Sequence, residues 1–234
     1  IETIKDIHLP PMMIIVTGTG RVGGGVHEIL TGMGMLEVSV ENYLNERFEE
    51  AVFCQIDVLD YNRRIDGKSI DMQDFFDHPE EYEANFMRFA KATDLYLAAH
   101  FHAPKAPRFF THKDTQRDDF KISVIADISC DIDGPVPTTL KASTIEEPVY
   151  GYDPVTGQEA DYKKAGAIAV MAVDNLPAEL PRDASRGFGF TFVEAVIPSF
   201  FNGDKDGILE RARMTQHGAL TARYSYLSDY VGDI

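Results

Sequence analysis

Residues 12–17 form an unbroken apolar and β-branched run that leads straight into Gly18, Gly20 and Gly23, and 22–30 then carry apolar side chains at helical spacing. Strand, glycine turn and helix in that order are the context in which G-x-G-x-x-G has a mechanism. Gly18 permits the tight turn, Gly20 lets backbone approach a pyrophosphate, and Gly23 lets the helix lie close to the strand. Arg21 and Val22 then stand at a helix N-terminus able to hold phosphates. A plain glycine-rich turn is the alternative, and the flanking pattern favours a dinucleotide site.

The 234 residues, 44% of them hydrophobic, suffice for one α/β domain with an appendage or for two small domains. A formal charge of -16 repels phosphate backbones and anionic lipid, which argues against nucleic acid and membrane surfaces as partners. Cys54 and Cys130 have no C-x-x-C spacing, so they read as core thiols of a reducing compartment. No apolar run is long enough to span a bilayer and no signal peptide is evident, making the cytoplasm the expected location. Residues 1–11 read as a linker from an N-terminal domain absent from this sequence, 12–201 as the nucleotide-binding domain with an insertion at 51–90, and 202–234 as a helical C-terminal segment.

Beyond the glycine turn, 36–40 read as the second strand, closed by Glu41 at roughly the twenty-residue spacing at which such units place a ribose-binding acid. A carboxylate there favours NAD over NADP, although nearby Arg47 leaves NADP open. Residues 52–58 read as a strand, 62–67 as a polar turn, and 72–76 and 80–89 as helical pieces, with acids 74, 77, 80, 81 and 83 on a solvated face. Residues 94–99 suit a buried parallel strand whose carboxyl end faces the cofactor, so the following loop, Phe101 included, is expected to line the cleft. His100, His102 and His112 invite a metal reading, but cleft lining is the better one.

Residues 122–128 form the next expected strand; a calcium loop starting at Ser129 fails because Leu140 stands where a glutamate is needed. Residues 144–165 read as a hairpin-like excursion, and 167–173 as the last strong strand. Asp174 and Asn175 follow it; they either reach the nicotinamide side of a dinucleotide or cap a helix starting at Pro177. The remainder reads as largely helical, with a packing stripe of Tyr224, Leu227 and Val231 on a helix over 220–231. The expected architecture is α/β: a Rossmann-like doubly wound parallel sheet with helices on both faces and a helical C-terminal tail.

The segments 18–25, 78–82, 107–111, 127–131, 144–148, 152–153, 173–177 and 180–181 together resemble the lysine-forming saccharopine dehydrogenases, and more closely the lysine-ketoglutarate reductase half of aminoadipic semialdehyde synthase. That resemblance implies an oxidoreductase of lysine metabolism that reversibly condenses lysine with 2-oxoglutarate to saccharopine, using NAD or NADP. It further implies cofactor contacts at Gly20, Arg21, Glu41, Phe101, Ile128, Val173, Asp174, Asn175 and Leu176. The family carries its acid and base, a Lys and a His, in an N-terminal substrate domain ahead of the glycine turn, where this sequence has only 1–11. The expectation is a cofactor-binding portion, inactive on saccharopine by itself and with its catalytic residues unassigned. An alanine dehydrogenase or transhydrogenase relative, a non-catalytic nucleotide-sensing module and a purely structural domain are the alternatives.

Overall fold

Met13–Thr17 form the central strand β1, whose side chains alternate between two buried layers. The computed structural model describes residues 7, 9–103 and 105–232; most of the expected linker at 1–11 lies outside them. After β1 come α1 (Arg21–Gly32), β2 (Leu36–Glu37), α2 (Val40–Asn45), β3 (Val52–Ile56), α3 (Val58–Tyr61) and β4 (Asn62–Arg64). Next are α4 (Met72–Asp77), a 3-10 turn at Pro79–Glu81, β5 (Tyr82–Ala84), α5 (Met87–Ala90), β6 (Leu95–Ala98), α6 (His112–Thr115) and β7 (Val124–Asp127). The strands β8 (Val149–Asp153), β9 (Gln158–Ala160) and β10 (Ile168–Met171) complete the sheet.

The eight-stranded sheet runs β2-β3-β1-β6-β7-β10-β8-β9. Its first six strands are parallel, and the expected hairpin adds β8 and β9 antiparallel at one edge. Ile14, Val16 and Phe53 pack beneath Leu30 and Val26 of α1. On the other face Ile15, Cys54, Ile56 and Tyr96 meet Tyr43, Phe75, Phe86 and Phe89 from α2, α4 and the α5 region. Helices therefore cover both faces, as expected for a Rossmann-like α/β fold.

Three local expectations are corrected. The second strand stops at Glu37, because Ser39 accepts the Asn42 N–H at 3.2 Å and starts α2, so Glu41 sits in a first helical turn. Residues 62–64 are a strand paired antiparallel to β5, so 82–84 are strand and not helix, while acids 77, 80, 81 and 83 are exposed as expected, with Arg64 engaging Asp66, Asp74 and Glu81 and Arg63 meeting Glu83 at 2.7 Å. Residues 215–220 form a hairpin, β11 (Thr215–Gln216) with β12 (Ala219–Leu220), because His217 and Gly218 both take the positive φ that a two-residue turn requires.

The chain divides into two compact units, Ile1–Asn175 and Leu176–Ile234. The second contains a 3-10 turn at Leu176–Glu179, α7 (Pro181–Thr191), a π-helical turn at Phe192–Val196 and a 3-10 turn at Ile197–Phe200. It continues through α8 (Ile208–Ala212) and the hairpin to a 3-10 segment Ala222–Leu227 and α9 (Ser228–Val231).

Candidate dinucleotide cleft

Gly18 has φ +97°, its N–H donates to the Ile56 carbonyl at 2.9 Å, and its own carbonyl accepts from Gln55 Nε2 at 2.8 Å. A Cβ at Gly18 would lie 2.6 Å from the Ala99 carbonyl oxygen, and one at Gly23 would lie 2.0 Å from the Gly18 carbonyl oxygen. The turn is thus fixed by the carboxyl ends of β3 and β6 and by the closeness of α1. Gly20 differs: nothing lies within 4 Å of where its Cβ would be. It is the N-cap of α1 and supplies no side-chain cap, so the first-turn N–H groups are left to an external acceptor.

In front of this turn lies a cleft of about 550 Å³. Residues 18–22 line it at the centre, Asp57, Tyr61 and Asn62 on the β3 side, and 99–103 with Ser129 and Asp131 on the β6 and β7 side. Gly18, Gly20, Arg21, Val22 and Phe101 therefore converge as expected, with Phe101 81% exposed at the mouth, and Gly23 supports the turn from behind. Glu41 is exposed on α2 and is not part of the lining. Ile128 packs with the Ile14 and Val16 layer, Val173 is buried at a bridge to Ser143, and Asp174 and Asn175 are exposed beyond β10. Leu176 opens the second unit, and none of these five residues lines the cleft.

Asp57 is an acid of the cleft lining that sequence reasoning did not single out. The strand beside β1 is β3 and not β2, so the carboxyl end nearest the glycine turn is Ile56, followed directly by Asp57. One Asp57 oxygen accepts the Leu59 N–H at 2.8 Å, fixing the side chain at the start of α3. The available signal was an acid closing the apolar run 52–56 and opening an Asp-x-x-Asp capping box.

His100 lies in the cleft lining, the reading preferred over a metal ligand. Its Nδ1 lies 2.8 Å from Thr17 Oγ1, which lies 3.0 Å from Tyr96 Oη, and its ring meets Phe109 edge-on. Burial pulls the imidazole down to about 3, leaving it neutral at pH 7. Among the described residues Nε2 of His100 and Oδ1 of Asn62 are buried without a hydrogen-bond partner, and both residues line the cleft.

Below the rim, the buried Asp127 holds the loop that follows β7. It accepts Ser129 Oγ–H at 2.6 Å, the Cys130 N–H at 3.2 Å and Thr139 Oγ1–H at 2.5 Å. Cys130 has φ +52° and its thiol points to the Ala172 carbonyl at 3.0 Å, joining the ends of β7 and β10. Among the described residues no three His, Cys, Asp or Glu gather as metal ligands, and no helix is long and apolar enough to cross a membrane.

No family model matches the chain. It is 27% identical to alpha-aminoadipic semialdehyde synthase of Arabidopsis thaliana over 97% of its length and 24% of that protein. It is 25% identical to mitochondrial alpha-aminoadipic semialdehyde synthase of Mus musculus over 93% of its length and 27% of that protein. Saccharopine dehydrogenase [NAD(+), L-lysine-forming] of Yarrowia lipolytica is 29% identical over 49% of this chain and 28% of that protein. The chain thus spans about a quarter of the length of the curated relatives it matches.

Proposed function

We propose, from this chain's membership of the family of the aminoadipic semialdehyde synthases and lysine-forming saccharopine dehydrogenases, that it is the nicotinamide-dinucleotide-binding portion of an oxidoreductase that interconverts saccharopine with lysine and 2-oxoglutarate. The observation that carries this reading is Gly20, whose open side faces a cleft at an uncapped helix N-terminus. A pyrophosphate there accepts hydrogen bonds from the first turn of α1, with Arg21 beside it. Asp57 takes the hydroxyls of the adjoining ribose, and its charge disfavours a 2'-phosphate, so NAD is the preferred cofactor and NADP the weaker one. When bound, the cofactor supplies hydride exchange with the carbon next to the substrate nitrogen.

The chain's own residues bind and orient. Ends of β6 and β7 face the nicotinamide half, while the acid and base come from a preceding N-terminal domain of the kind the family carries. The free thiols of Cys54 and Cys130 favour a reducing compartment, with the cytoplasm as the first reading and the mitochondrion, which the mouse relative's name gives, as the second. The test is to incubate these 234 residues with saccharopine and NAD and follow absorbance of the reduced nicotinamide, with NADH binding measured in parallel. Binding without turnover is expected. Turnover by the chain alone overturns the placement of acid and base.

A further inference from the structure

We infer that His100 is a binding residue for the nicotinamide half of the dinucleotide, donating a hydrogen bond from Nε2–H to a ligand oxygen there. This rests on the cofactor reading above. The direction of the bond follows from the chain of hydroxyls behind the ring. Tyr96 is fully buried and Thr17 Oγ1 is its side-chain hydrogen-bond partner, so an accepting Tyr96 would leave its own O–H unpaired. With Tyr96 donating to Thr17, the Thr17 O–H turns to His100 Nδ1, which must then accept. The ring proton is left on Nε2, the atom with no partner among the described residues.

Position selects the half of the ligand. β1 lies between β3 and β6, the turn that takes a pyrophosphate caps β1, and Asp57 marks the β3 side as the adenosine side. His100 follows β6, on the opposite side of the turn. A dinucleotide lying across the switch between those strands places its second nucleoside over β6. Burial keeps the ring uncharged, so it offers a donor of fixed direction to the carbonyl oxygen of the nicotinamide carboxamide.

The test compares NADH with ADP-ribose, which lacks the nicotinamide, by titration of the wild-type chain, His100→Phe and Thr17→Val. His100→Phe is expected to weaken NADH at least tenfold and ADP-ribose less than twofold, and Thr17→Val to weaken NADH severalfold by releasing the tautomer. Nitrogen-15 spectra of histidine-labelled wild type should show Nε2 of His100 protonated and shifted by NADH but not by ADP-ribose. NADH binding unchanged in His100→Phe, equal loss of both ligands, or an unprotonated Nε2 overturns the inference and leaves the cofactor reading standing. Wild type that binds neither ligand overturns both. Should His100→Phe fail to fold, the wild-type spectra decide.

Discussion

Gln55 Nε2 donates to the carbonyl oxygen of Gly18 over 2.8 Å, tying the glycine turn to the neighbouring strand at the same oxygen that a Cβ on Gly23 would strike. The turn is held from in front by β3 and from behind by α1, which leaves Gly20 as the glycine with free space.

Gly23→Ala tests that closeness. A methyl group 2.0 Å from a backbone oxygen forces α1 away from β1, so the variant should lose about 1–3 kcal/mol in urea unfolding. An unchanged midpoint would mean that the helix has room to shift.

The two candidate acids can be separated directly. Asp57 lines the cleft and Glu41 does not, so Asp57→Ala should weaken NADH about tenfold, roughly 1.4 kcal/mol, while Glu41→Ala binds as wild type. The opposite ranking would return the ribose site to α2.

The glycine turn, the parallel strands and the hairpin at 149–160 were legible because each has a local signal: apolar runs, glycine spacing and turn residues. The acid that lines the cleft was not, because strand order is set by long-range pairing. β2 is only two residues long and lies at the sheet edge, so counting forward from Gly18 reached an exposed helix. His100 was legible as cleft lining, but its hydrogen-bond chain was not, because Thr17 and Tyr96 belong to two strands distant in sequence.

Asp127, within the 127–131 segment, has a structural role through its three donors. Asp127→Ala leaves the Ser129 and Thr139 hydroxyls and the Cys130 N–H without their acceptor. It should cost about 3 kcal/mol in chemical unfolding. A loss below about 0.5 kcal/mol would show that the loop keeps its shape without the carboxyl group.

Burial holds His100 near 3, below the 6.5 of a free imidazole, so between those values the unfolded chain binds a proton that the folded chain refuses. Stability therefore falls as pH drops through that window, by about 1.4 kcal/mol per pH unit for this one group. Unfolding curves of wild type and His100→Phe between pH 4 and about 6.5 should differ in slope by that amount. Parallel curves would show His100 titrating normally.

The central claim is that this cleft binds a nicotinamide dinucleotide on the open side of Gly20. Its most direct test is a fluorescence titration of wild type and Gly20→Ala with NADH. NADH should bind wild type and weaken at least tenfold in the variant, whose stability should stay within about 0.5 kcal/mol because the added methyl meets no protein atom. No binding to wild type, or equal binding to both, would contradict it.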